Sequence, residues 1–181
     1  MEHPTLYIFS GLPGSGKTTL SQLLAMRLGA AYIRIDTIEQ ALRETCAISV
    51  QGEGYEMAYR LAADNLRLGI SVVADSCNPI EMTRRAWERV AIETGAQYVN
   101  IEVICSDARQ HQRRVDTRLS TVPGLKLPTW QEVMGRSYDD WSVSRLVVDT
   151  FSRGENECLD ELLAKISDAC APLSFSSASD E

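Results

Sequence analysis

Short apolar runs rich in β-branched and aromatic residues alternate along the chain with longer stretches whose apolar positions recur every three or four residues. Leu6-Tyr7-Ile8-Phe9 predicts a first strand and Ala31-Tyr32-Ile33-Arg34-Ile35 a second; Ser71–Ala74, Tyr98–Ile104 and Arg145–Val148 predict three more. Short apolar strands separated by helices predict a parallel sheet covered on both faces. The first helix is expected from Lys17 to Arg27, with Leu20, Leu23, Leu24 and Leu28 on one stripe and Gly29 closing it. Further helices are expected over Thr37–Glu44, Gly54–Arg67, Ile80–Thr94, Asp107–Leu119, Thr129–Tyr138 and Asn156–Ser167. Pro79 and Pro128 stand at helix mouths, where a missing N–H does little harm. Ser120–Leu127, with Pro123 and Gly124, reads as an exposed loop, and the small, polar end PLSFSSASDE as a flexible tail over 172–181. Residues 1–171 read as one domain with no internal repeat.

Composition agrees with that organisation. The chain has 181 residues, 44% hydrophobic and 24% charged, which suits one globular domain and excludes collagen-like, coiled-coil and disordered classes. Its formal charge of −7 disfavours sequence-blind binding to nucleic acid or anionic lipid, both of which need counterion release by Lys and Arg. No apolar run approaches the roughly 20 residues of a membrane span. MEHPTLYIFS lacks the basic and long apolar regions of a signal peptide. Five scattered cysteines without a C-x-x-C pair argue against a disulfide framework or zinc ribbon and for a reducing cytoplasm.

The chemistry concentrates immediately after the first strand, in Gly11-Leu12-Pro13-Gly14-Ser15-Gly16-Lys17-Thr18. This is G-x-x-x-x-G-K-[ST] between a strand and a helix, the setting that gives the pattern meaning. Glycines let the backbone turn tightly and aim its N–H groups inward as an anion nest, and the helix N-terminus adds positive charge beneath it. Gly11, Pro13, Gly14, Ser15, Gly16, Lys17, Thr18 and Thr19 are therefore expected to cradle ATP. Lys17 would meet the β- and γ-phosphates, and the Thr18 hydroxyl would ligate Mg²⁺.

Three other places narrow the chemistry. Asp36 closes the second predicted strand and opens a helix, at the strand edge where open α/β sheets hold ligands. A carboxylate there can accept the proton of an attacking hydroxyl, and it can also cap the helix. Asp75 ends Val72-Val73-Ala74 and is a candidate for holding Mg²⁺, directly or through water. The run 107–118 places Arg109, Arg113, Arg114 and Arg118 within ten residues, a candidate lid over about 107–128 whose guanidinium groups would grip migrating phosphate. Arg114 and Arg118 are the first choices. His111 is expected in solvent, Trp87, Trp130 and Trp141 in helix packing, and Lys126 either at substrate or free.

Together these residues resemble the kinase branch of P-loop proteins, the AAA-type ATP-binding group of polynucleotide kinases, zeta toxins, gluconate kinases and chloramphenicol phosphotransferase-like enzymes. The likeness runs from Leu6 to about Thr150. It includes Val73-Ala74-Asp75-Ser76-Cys77-Asn78-Pro79, the following Arg84-Arg85-Ala86-Trp87, the arginine-bearing lid and Val147-Val148-Asp149-Thr150. The stretch from Asp75 to Trp87 looks most like a polynucleotide kinase domain. The resemblance implies a three-layer P-loop NTPase fold, with a five-stranded parallel sheet in order 2-3-1-4-5, helices on both faces and a helical lid. It also implies phosphoryl transfer to a hydroxyl, with Asp36 as the acceptor-activating carboxylate.

Departures from relatives of that kind shape the expected activity. Glu39 stands where phage-type polynucleotide kinases place a substrate-gripping arginine, no N-K-x-D base-reading motif occurs, and Asp75-Ser76 lacks the D-E pair of water-activating ATPases. The expected protein is a cytoplasmic, Mg²⁺- and ATP-dependent kinase of a small hydroxyl compound, with Lys17, Asp36, Arg114 and Arg118 as the catalytic set. A polynucleotide 5′-hydroxyl kinase and a regulatory nucleotide-binding ATPase are the alternatives.

Overall fold

A computed structural model describes residues 3–170 of the chain; the expected tail over 172–181 lies outside them. Strand β1 (Thr5–Ser10) is buried at every position and alternates its side chains between two cores. Leu6 and Ile8 face one, Tyr7 and Phe9 the other. A strand buried on both faces needs helices above and below, and the chain supplies them. They begin with α1 (Lys17–Leu28), β2 (Ala31–Arg34), α2 (Ile35–Cys46), α3 (Glu53–Arg67) and β3 (Val72–Asp75). Then come α4 (Glu81–Thr94), β4 (Gln97–Ile104), α5 (Ala108–Thr117), the short α6 (Trp130–Met134), β5 (Leu146–Asp149) and α7 (Glu155–Cys170).

The five strands pair in parallel in the order β2-β3-β1-β4-β5. One core lies under α1 and α7, around Phe9, Leu24, Ile101 and Leu162; the other lies under α3 and α4, around Ile8, Ala62, Leu66 and Trp87. Trp87 is fully buried and sets its ring edge against Tyr59, with centroids 4.6 Å apart. The order means that all five strands end on the same side, and that the loop after central β1 sits between the ends of β2 and β5. That edge is where the chemistry gathers.

Most expected elements form within a residue or two of their expected ends, and the differences have local causes. Gly29 closes α1 with φ 62°, as its lack of a Cβ permits. Helix α2 begins at Ile35, so Asp36 lies inside the first turn and Arg34 occupies the N-cap position. Asp36 is thus not the cap; its charge instead meets the helix dipole directly. Helix α6 ends at Met134, well short of Tyr138, because Gly135 closes it and the next residues are claimed by α4: the Asp139 N–H donates to the Pro79 carbonyl at 2.8 Å.

Candidate active site

The loop from Gly11 to Gly16 is held by contacts that leave its inner face open. The Gly11 N–H donates to the Cys77 carbonyl at 3.1 Å, and Asn78 Nδ2 donates to the Phe9 carbonyl at 2.9 Å. The D-x-x-N-P turn after β3 thereby clamps the end of β1, with Asn78 fully buried in left-handed backbone at φ 43°. Sequence reasoning singled out this turn without seeing that task. Gly11 itself is confined: a Cβ there would lie 2.3 Å from the Val103 carbonyl oxygen, at φ 140°. On the far side, Thr150 Oγ1 donates to the Ser15 carbonyl at 2.8 Å. Gly16 precedes α1 with no side-chain cap, so the amides of the first turn keep their free donors and partial positive charge.

Buried Lys17 and Asp75 and half-buried Tyr32 form a cluster beneath the loop. Lys17 Nζ lies 2.9 Å from Asp75 Oδ1, the Tyr32 hydroxyl donates to Oδ2 at 2.7 Å, and Arg34 Nε stands 3.8 Å from the same oxygen. Asp75 is only 2% exposed. Burial alone would raise its carboxyl, yet the Lys17 charge and the Tyr32 hydrogen bond hold it below the ordinary carboxylate range. Burial alone would likewise lower the Lys17 ammonium, and the Asp75 charge reverses that, holding it above its usual value. The Thr18 hydroxyl lies beside the same carboxylate. Tyr32 was legible only as a strand residue; nothing local announces that its hydroxyl reaches the end of the neighbouring strand.

The arginine-rich helix α5 docks onto the loop. His111 is 7% exposed, not solvated as expected: its Nε2 bonds the Pro13 carbonyl at 2.9 Å and its ring packs edge-on against Trp130. A single histidine between arginines gives no sequence signal for a partner nearly a hundred residues away. Arg114 donates to Thr150 Oγ1 at 2.6 Å and to the Thr150 carbonyl at 2.9 Å. Arg109 and Arg113 are exposed and do not line the cavity, whereas Arg114 and Arg118 do. The loop beyond α5 reaches α2, where Arg34 Nη1 donates to Thr121 Oγ1 at 2.7 Å. Gly124, at φ 72°, sits so close that a Cβ would lie 2.3 Å from Glu44 Oε1.

These elements enclose a cavity of about 650 Å³, within the usual range for small-molecule sites. Its lining includes Pro13, Gly14, Gly16, Lys17, Thr18 and Thr19 from the loop side, and Asp36, Glu39, Cys77 and Arg136 from the other. Gly11 and Ser15 are buried and shape the loop from behind, and Asp75 lies beneath Lys17. Asp36 is half-buried and pairs with Arg34 at 3.4 Å. Arg136 was not anticipated: it falls within the helix expected over Thr129–Tyr138, and nothing in that pattern marks it as facing the cavity.

The sheet order and the phosphate loop define a protein of the P-loop NTPase fold. The AAA domain family matches residues 6–135, more than half of the chain, and the chain belongs to that family. Among solved structures, it is similar to Mycobacterium tuberculosis APS kinase CysC in complex with AMPPNP and APS. That likeness has 16% identity and TM-score 0.69, covering 92% of this chain and 99% of that one. Chaetomium thermophilum Kti12 in complex with ADP-AlF3 is similar at 19% identity and TM-score 0.68, covering 92% and 100%. A gluconokinase from Sinorhizobium meliloti 1021 follows at 16% identity and TM-score 0.64, covering 93% and 95%. No curated protein matches the sequence. Among the described residues no helix is long and apolar enough to cross a membrane.

Proposed function

We propose that the protein transfers the γ-phosphate of ATP to a hydroxyl of a small molecule. One observation carries the reading: the phosphate loop and Asp36 line the same cavity, so donor cradle and acceptor carboxylate face one space. The backbone amides from Gly14 to Thr18 would hold the triphosphate, the Ser15 N–H exchanging its present bond to the Leu12 carbonyl for phosphate, with Gly11, Pro13 and Thr19 shaping the cradle. Lys17 would exchange Asp75 for phosphate oxygens as nucleotide enters. The Thr18 hydroxyl and Asp75 carboxylate are hard oxygen donors lying side by side, which fits Mg²⁺. The ion, when bound, would neutralise charge on the β- and γ-oxygens.

Asp36 would orient the acceptor hydroxyl and take its proton as the oxygen–phosphorus bond forms and the bond to the β-phosphate breaks, releasing ADP. Arg114, anchored on Thr150 beside the loop, would stabilise charge on the migrating group. Arg118, which lines the cavity near Asp36, would act at the acceptor end. Transfer is favoured over hydrolysis because Ser76 follows Asp75 where a water-activating glutamate would be needed. The net charge and Glu39 in the cavity lining favour a small acceptor over a polynucleotide. Free Cys46, Cys77, Cys105 and Cys158 among the described residues support a reducing cytoplasm.

A screen of sugars, nucleosides, antibiotics and oligonucleotides with Mg-ATP, read by mass gain of one phosphate, tests the activity. Asp36→Asn should lower transfer about 10²- to 10⁴-fold, the usual span of general-base loss, while calorimetry shows unchanged Mg-ATP binding. Full transfer in that variant removes Asp36 as the base. Slow ATP hydrolysis that no hydroxyl compound accelerates refutes the kinase reading.

A further inference from the structure

Eight cationic side chains line the cavity against three carboxylates, in a chain whose formal charge is −7. A nucleotide accounts for only some of them. The phosphate loop follows the middle strand, and β2 and β5 lie two strands to either side, about 10 Å each way at ordinary strand spacing. Lys17 belongs to the loop itself. Arg114 is tied to Thr150 beyond β5, and Arg153, also beyond β5, is engaged by Glu157 and Glu161. At the β2 end, Arg34 is answered by Asp36 and Asp75, and Arg43 by Glu39 at 2.8 Å. Arg118, Lys126 and Arg136 remain, and none forms a salt bridge within 4 Å among the described residues, Glu132 attracting Lys126 and Arg136 only from farther off.

The three come from separate segments, two of which the fold pins near their cations. Arg118 caps the end of α5, and its Nε is buried without a hydrogen-bond partner. Burial lowers its pKa, the nearby Arg34 and Arg136 lower it further, and Cys77 and Asp36 oppose them, so these groups surround one region. Lys126 follows Gly124, which is wedged against Glu44 and Gln40 of α2. Arg136 precedes a clasp in which buried Arg84 donates to the Asp139 carbonyl at 2.7 Å and stacks 4.3 Å from the Trp141 ring, while the Glu81 N–H donates to Asp139 Oδ2 at 2.9 Å. A buried donor left without a partner is destabilising, and gathering like charges around it adds to that cost. An arriving anion relieves both.

We propose that the β2 end of the cavity binds a phosphate monoester carried by the acceptor alcohol, through Arg118, Lys126 and Arg136. This rests on the phosphotransfer reading above. Three cations from three segments match the three terminal oxygens of a tetrahedral monoester. A planar carboxylate offers two oxygens, and an internal phosphodiester two with a single charge. The site therefore selects a small, already phosphorylated alcohol over a neutral sugar, a sugar acid or the interior of a polynucleotide.

Two measurements separate this proposal from the reading beneath it. In the first, calorimetry on the whole chain saturated with Mg-AMPPNP, so that the phosphate loop is filled, titrates methyl phosphate, methyl sulfate and acetate. Methyl phosphate should bind at least about tenfold more tightly than the others, and Arg118→Gln and Arg136→Gln should each weaken it by about tenfold, the effect of losing one charged hydrogen bond. Equal binding of acetate, no binding of methyl phosphate, or indifference to both substitutions overturns the proposal. In the second, phosphorylated alcohols and their unphosphorylated parents compete for transfer from ATP. Preference for the phosphorylated set upholds the proposal, and parents that react as fast overturn it while leaving the kinase reading intact. Transfer to neither set, beside an intact methyl phosphate site, refutes the kinase reading and keeps the anion site.

Discussion

Lys17→Met removes the ammonium 2.9 Å from Asp75 Oδ1 and keeps a side chain of similar length. Asp75 is then a carboxylate at 2% exposure that retains the Tyr32 hydroxyl and Arg34 Nε at 3.8 Å. Breaking a buried pair by deleting one partner costs about 3–5 kcal/mol. The surviving partners place this case at the lower end, about 3 kcal/mol, or roughly 6–12 °C in Tm for a chain of this size. The pH dependence follows from the two shifts. In the native protein the Asp75 pKa is depressed, so its contribution is present at neutral pH and is lost as pH falls through the native value. The raised Lys17 pKa contributes stability that is complete below its unfolded value and is lost only as pH rises through the native one, in strong alkali.

Without Lys17, burial dominates at Asp75 and its pKa rises above the unfolded value. The penalty then exists in neutral solution and disappears on acidification, as the carboxyl takes up its proton. Urea denaturation should therefore show a gap between wild type and Lys17→Met of about 3 kcal/mol at pH 8 that narrows toward pH 5, with unchanged m-values. Adding Asp75→Asn to Lys17→Met should recover most of the loss at pH 8. Equal stability of Lys17→Met and wild type at pH 8, a gap that widens on acidification, or no recovery in the double variant refutes the buried-pair argument.

Gly14→Ala would place a Cβ at φ 87° and 2.5 Å from Val115 Cγ2, pushing α5 off the loop. It should cost about 1–3 kcal/mol of stability, as overpacking does, and weaken Mg-ATP binding in calorimetry; an unchanged variant would refute the docking of α5. Tyr32→Phe deletes the 2.7 Å bond to Asp75 Oδ2 and should cost about 1.5–3 kcal/mol in urea denaturation. Mg-ATP binding should then require more magnesium, because the carboxylate loses one of the groups that orient it.

The parts of the molecule that the sequence discloses are those whose causes are local. The apolar runs around Ile8, Val73 and Ile101 had to be strands covered on both faces, and those three residues are fully buried. Gly11 to Thr18 carries its geometry in its own residue types. Asp75 is marked by position alone, as a carboxylate ending the apolar run Val72-Val73-Ala74. What stayed hidden depends on pairs far apart in the chain: His111 on the Pro13 carbonyl, Tyr32 on Asp75, and Asn78 on the Phe9 carbonyl. Arg84 shows the limit most plainly. It stands in the Arg84-Arg85-Ala86-Trp87 stretch, legible only through the family resemblance and with no partner to read, yet it is 2% exposed with its guanidinium 4.3 Å from the Trp141 ring. Only the chain's return after α6 converts that arginine into the anchor of the segment bearing Arg136.

The contrast between an acidic chain and a basic cavity ties the donor and acceptor readings together. Of the eight lining cations, Lys17, Arg34, Arg43 and Arg153 already face carboxylates, some from outside the lining, and Arg114 rests on Thr150. Arg118, Lys126 and Arg136 are left without a salt bridge among the described residues. Magnesium-bound ATP at the phosphate loop would meet Lys17 and Arg114, and a phosphate monoester near neutral pH brings about two further negative charges. A neutral acceptor would leave the three cations unmatched, with Arg118 Nε still buried and without a hydrogen-bond partner. With both anions bound, Asp36 would act as a base flanked by cations. The surrounding acidic surface weakens the hold on anions elsewhere, so the field draws them toward this one edge of the sheet.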